Sequence, residues 1–284
     1  NPVSVAEALT NYVENRHIGE ADLFQLNEAW HSWKHHSRFS GLTAQEAVNK
    51  INRSTGAAHE YLKGADYLMI TLGSAWTYTL TQKAANAKAG SVAANNHKAP
   101  ADWFSKKLMT TEEVLTVLDN VIHRLFIFNK KLQIIFTISP VRHLREGLVE
   151  NNRSKAVLIQ AVHHLVDKFE RLYYFPAYEL VIDDLRDYRF YAEDLVHPNY
   201  AATQYVWEKF TEACMDSRTK SLMEDIHGIN LAYQHKPFNP SSQQHRAFLQ
   251  THLEKTKALL ALYPHLDFSK EMQYFEKSSA EGSS

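Results

Sequence analysis

Apolar residues recur along this chain with two spacings. Leu115, Leu118, Ile122 and Leu125 keep the 3–4 spacing of an amphipathic helix over 111–129. Val157, Leu158, Ala161, Val162, Leu165, Val166 and Phe169 do the same over 153–171. Helices are also predicted over 5–15, 44–63, 199–216, 218–233 and 243–262. Ser4 with Glu7, Thr43 with Glu46, and Thr110 with Glu113 fit a capping box, in which hydroxyl and carboxylate satisfy N–H groups left free by the first turn.

Between these helices lie short runs that are nearly all apolar. Tyr67–Leu72 ends in Gly73, Leu132–Ile138 in Ser139-Pro140, and Tyr178–Ile182 in Asp183-Asp184. Such β-branched runs suit strands buried on both faces of a parallel sheet. Their alternation with helices predicts an α/β fold, with ligands bound beyond the carboxyl ends of strands, here just after residues 72, 138 and 182. The stretch Thr81–Ala101 reads as a long loop, and Lys236–Ser242 as a linker ahead of the last helix. The chain thus divides into an α/β domain over 1–216, a helical extension over 217–277 and a small, polar, disordered tail over 278–284.

Composition narrows the function. With 284 residues and 44% hydrophobic content the chain can bury a sizeable core. The balance of 31 Lys+Arg against 32 Asp+Glu argues against a general nucleic-acid binder, which needs surplus cations. A single cysteine, Cys214, excludes an intrachain disulfide and a Cys-rich zinc cluster. No apolar run approaches the roughly 20 residues of a membrane helix. The expected compartment is the reducing cytoplasm, although one thiol also suits a periplasmic protein, and residue 1, an Asn, leaves an upstream signal open.

The sharpest chemical pattern is Asp194-Leu-Val-His197-Pro198. A carboxylate three residues before a histidine can accept from Nδ1–H and leave Nε2 as a general base. The same pattern also describes a surface Asp and a helix-capping His. Gly73 can present its N–H to an oxyanion without side-chain obstruction, or simply make a turn. Asn95 in the long loop offers a second amide donor or a solvated turn. His143, in Ser139-Pro-Val-Arg-His143, lies past a strand end and can line a site. His31 and His35 have the i, i+4 spacing that holds zinc on a helix, but no third ligand is identifiable and aromatic packing explains the segment better. His163-His164 reads as an exposed pair.

Several segments, taken in order, resemble the GSCFA family of SGNH/GDSL-type hydrolases. They include Ile70–Tyr78, Asn95-Asn-His-Lys98, Thr137–His143, Glu150–Lys155, Tyr174–Tyr178, Asp184–Tyr191 and Asp194–Pro198, and Trp30–Trp33 and His35–Phe39 also look like family segments. The resemblance covers roughly residues 1–215. It implies a three-layer α/β/α SGNH-like parallel sheet with added C-terminal helices. It also implies a Ser-His-Asp triad completed by Asp194 and His197, with Gly73 and Asn95 at the oxyanion hole. Asn96 stands where the family usually has Cys.

The Gly-Ser-Cys-Phe-Ala segment that names the family, and carries its serine, is absent. The expectation is that a leading piece of about 40 residues, the size of two strands with connections, precedes Asn1. Ser74 and Ser139 are the alternative nucleophiles. A free edge and an exposed apolar groove are therefore expected beside residues 67–72. The implied function is hydrolysis of a small-molecule or carbohydrate ester without cofactor or metal. The rivals are a non-catalytic ligand-binding protein on the same fold and a metal-dependent hydrolase drawing on the 16 His.

Overall fold

A computed structural model describes residues 1–280. The first helix, α1 (Pro2–Val13), opens at Pro2 rather than near residue 5. Asn1 caps it by accepting from the Ser4 N–H at 2.9 Å, so the expected Ser4–Glu7 box does not form. A hairpin absent from the sequence reading follows, β1 (Phe24–Leu26) and β2 (Ala29–His31). In α2 (Ala44–Gly64), Thr43 caps by accepting from the Glu46 N–H, while the Glu46 carboxylate takes the Leu42 N–H instead of closing the box. The strand β3 (Tyr67–Leu72) stands where expected.

Three further strands, β4 (Trp76–Leu80), β5 (Val92–Ala93) and β6 (Phe104–Leu108), form an antiparallel sheet in the order β5-β4-β6. Their mixed Thr, Lys and aromatic composition hides them from an apolar-run criterion. The reciprocal capping box of Thr110 and Glu113 starts α3 (Thr111–Phe128). Next come β7 (Gln133–Ile138), α4 (Gly147–Lys168) and β8 (Leu172–Tyr174). The run 178–182 is not a strand: α5 (Ala177–Glu179) passes directly into a π-helical turn, Leu180–Leu185. A short apolar run suits a buried helical turn as well as a strand, and here Ala177 and Val181 are buried at i, i+4. The chain ends in α6 (Tyr200–Cys214), α7 (Ser217–Gln234), α8 (Gln243–Leu262) and α9 (Ser269–Ala280). The expected disordered tail is helical over 278–280, and 281–284 lie outside the described residues.

The fold is mixed α/β. Its parallel sheet has the order β3-β7-β8, in register from Tyr67 opposite Gln133 to Leu72 opposite Ile138. Ile70, Leu72, Ile134, Phe136, Ile138 and Leu172 point to one face and are buried against α1, α3 and α4. On the other face Tyr67 and Met69 are 64% and 63% exposed, and Tyr173 is exposed too. Among the described residues β3 pairs only with β7, so its outer edge is open. The chain splits into two compact units, Asn1–Val206 and a second from Trp207. The second has its own helical core, with Ile229, Leu249, Leu253, Leu259 and Phe275.

This one-sided burial predicts unequal costs of truncation. Phe136→Ala is expected to lower stability by about 3–5 kcal/mol in urea denaturation, as for other fully buried phenylalanines. Met69→Ala, on the open face of the same sheet, should change it by under about 0.5 kcal/mol.

Candidate functional site

The segment Tyr191–Pro198 closes on itself through a backbone bridge between these two residues and a 2.8 Å hydrogen bond from the Ala192 N–H to the His197 carbonyl. Inside it, Asp194 Oδ1 accepts from the N–H groups of Val196 and His197 at 2.9 and 3.0 Å. Oδ2 lies 2.6 Å from His197 Nδ1. A carboxylate in contact with Nδ1 assigns the proton to that nitrogen and leaves Nε2 as the free acceptor. The backbone N–H of His197, its ring and the Val196 N–H hold the Asp194 carboxyl down at about 2. Both side chains are open to solvent.

This turn is moored beside the end of the central strand. The Arg142 N–H donates to the Val196 carbonyl at 3.4 Å, its guanidinium donates to the Leu195 carbonyl at 3.0 Å, and its charge sits 4.4 Å from the centre of the Tyr191 ring. The segment after β7 is tied in turn to the end of β3. The Ser139 N–H donates to the Leu72 carbonyl at 2.9 Å, and Lys155 Nζ donates to the carbonyls of Gly73 and Ser139 at 2.7 and 2.6 Å. Gly73 is exposed, and a Cβ there would meet no atom within 4 Å.

Three residues that hold these loops have no assigned role in the sequence reading. Asn151, Ser154 and Lys155 on α4 are buried, Lys155 to 1% exposure. Asn151 Oδ1 accepts from the His143 N–H at 2.9 Å, and Ser154 Oγ from the Ala75 N–H at 2.8 Å. Burial pushes the Lys155 ammonium down to about 8. The signal was present in the pattern: positions 151, 154, 155, 158, 161, 162 and 165 make one buried stripe, and its first three members are polar.

His143 contacts the carboxylate of Glu146, which also pairs with Lys106. Burial raises the Glu146 carboxyl, but the hydrogen bond from Lys106 and the charges of His143 and Lys106 outweigh it, so the net direction is downward. Asn95 follows β5, two residues past Ala93, which pairs with Tyr78 of β4. Its Oδ1 accepts from the His97 N–H at 2.8 Å, which leaves only its amide nitrogen for a ligand. Among the described residues no hydrogen bond joins it to Gly73, His143 or His197. The Ser74 hydroxyl accepts from the Trp76 N–H and meets Ser154 Oγ, and the Ser139 hydroxyl accepts from the Val141 N–H.

His31 and His35 do not share a helix. His31 belongs to β2, and His35 sits in a turn against Ser32 Oγ. No group of three or more metal-ligating side chains forms among the described residues. His163 and His164 are exposed, the former with its ring beside Tyr174.

The geometry of the Asp194–His197 pair fixes the sign of one titration. A depressed carboxyl adds stability above its ordinary value near 3.8 and loses it as pH falls through about 2. Carbon-detected NMR should place the Asp194 midpoint at about 2. His197→Ala should raise it only part of the way to 3.8, because both backbone N–H donors remain.

The GSCFA family model matches residues 1–210, and the model for the GSCFA domain protein C-terminal domain matches residues 226–281. No curated protein and no solved structure matches the chain. No described helix is long and apolar enough to cross a membrane. With most of its length accounted for in this way, the chain belongs to the GSCFA family.

Proposed function

We propose that the intact protein is a serine-hydrolase-type ester hydrolase of SGNH type, acting on a small-molecule or carbohydrate ester. The observation that carries this reading is the 2.6 Å contact of Asp194 Oδ2 with His197 Nδ1, on a turn moored beside the strand ends. On this reading a serine Oγ attacks the ester carbonyl and passes its proton to His197 Nε2. The tetrahedral intermediate then expels the alcohol, which takes that proton, and water attacks the acyl-enzyme with His197 again as base. Asp194 orients the imidazole. The Gly73 N–H and the Asn95 side chain supply oxyanion donors, each worth about 3 kcal/mol. The serine is expected from a segment ahead of residue 1, since among the described residues neither the Ser74 nor the Ser139 hydroxyl is hydrogen-bonded to His197.

The test is labelling by a fluorophosphonate, together with turnover of an activated ester, by the protein carrying its upstream sequence. His197→Ala should abolish labelling and lower turnover by about 10⁶-fold, and Asp194→Asn should lower turnover by about 10⁴-fold. Labelling that survives His197→Ala unchanged would overturn the triad. Residues 1–284 alone should show negligible turnover; turnover by that chain that disappears in His197→Ala would move the nucleophile inside it.

A further inference from the structure

The end of β3 departs from a continued strand in one respect. Along a parallel strand, N–H and carbonyl of one residue face the neighbour and those of the next face away. Leu72 faces β7, its carbonyl accepting from the Ser139 N–H at 2.9 Å. In a planar trans peptide the N–H opposes the carbonyl, so the Gly73 N–H points away from β7. The Gly73 carbonyl should then point away too. Instead it accepts from Lys155 Nζ at 2.7 Å, the same nitrogen that lies 2.6 Å from the Ser139 carbonyl. Two successive carbonyls are therefore drawn to the β7 side. The N–H groups of Gly73 and Ser74 must both face the opposite side, next to each other.

Neither of these N–H groups has an acceptor among the described residues. The space around Gly73 is open. Adjacent N–H groups aimed to one side make an anion-binding nest. Lys155 is buried and has no carboxylate contact among the described residues, so its charge also favours an anion nearby. Ser154, one residue earlier, takes the Ala75 N–H at 2.8 Å and fixes the far end of the same turn.

We propose that Lys155 is a positioning residue that turns the Gly73–Ser74 peptide and thereby builds a two-amide nest for a carboxylate or tetrahedral oxyanion at the end of β3. This deepens the esterase reading and rests on it for the role of the anion, adding the Ser74 N–H as a donor. The nest itself is a binding site whether or not chemistry follows.

The experiment is titration of ¹⁵N-labelled protein with acetate at neutral pH, read at the amides of Gly73 and Ser74. Both should shift saturably. Lys155→Met should weaken the response by about 10-fold or more, the equivalent of one lost hydrogen bond. Arg153→Met removes an equal charge from an exposed position on the same helix and should leave the response intact. Without acetate, the two amides should show a pH inflection at about 8 as Lys155 loses its proton, absent in Lys155→Met.

No acetate shift at Gly73 and Ser74 in the unsubstituted protein, or an equal shift in Lys155→Met, overturns the proposal. If Lys155→Met does not fold by circular dichroism, the acetate titration of the unsubstituted protein decides, and unshifted Gly73 and Ser74 amides overturn the proposal. Absence of fluorophosphonate labelling in the longer protein would sink the esterase reading and leave the nest standing.

Discussion

One buried ammonium organises the end of the parallel sheet. Lys155 is shared by the carbonyls of Gly73 and Ser139, the first residues past β3 and β7. Placing a cation at 1% exposure is costly, and two charge-assisted hydrogen bonds to carbonyls that lack a strand partner offset that cost. The same contacts lock the loops after two adjacent strands to one helix. Asn151 and Ser154 repeat the arrangement one turn earlier and one residue earlier, each taking a backbone N–H from one of those loops. A polar patch on α4 thus does at the strand ends what the apolar stripe of the same helix does against the strand middles.

The Asp194–His197 turn depends on this frame without touching Lys155. It is held by Arg142, three residues beyond Ser139, through backbone, guanidinium and ring contacts. Asp194 is committed twice over, to the backbone of its own turn and to the imidazole. These contacts hold its carboxyl below the usual carboxylate value although it is exposed. His143 and Glu146 form a second histidine–carboxylate contact past the same strand, but there the carboxylate is shared with Lys106. That sharing ties β6 to the β7 loop and leaves Glu146 less free to serve its histidine.

The parallel sheet is buried on one face and open on the other, an unusual state for this architecture. Packing against α1, α3 and α4 is dense, with Leu118, Ile122, Leu125, Phe136 and Leu165 wholly buried. The opposite face presents Tyr67, Met69 and Tyr173 to solvent, and the outer edge of β3 has no partner among the described residues. The largest core of the first unit is therefore this one helix–sheet interface, with smaller clusters around Phe24 and Trp33 and around Leu23 and Ile51. The candidate chemistry lies at the rim of that interface.

Periodicity alone determined the long helices and the strands β3 and β7, because each commits a full apolar face or run to one environment. Asp194 and His197 were legible for a related reason: their contact is local, closed within one turn of chain. What only the tertiary structure decided was everything that joins distant segments. The run 178–182 became a helical turn because its apolar residues found a core at i, i+4 spacing rather than a neighbouring strand. The sheet of β4, β5 and β6 was invisible because its strands mix polar and aromatic residues and are stabilised by one another. The role of Lys155 was decided only in the tertiary structure, since a sequence gives the position of a charge on a helix face but not the two carbonyls, 82 and 16 residues away in the chain, that make its burial tolerable.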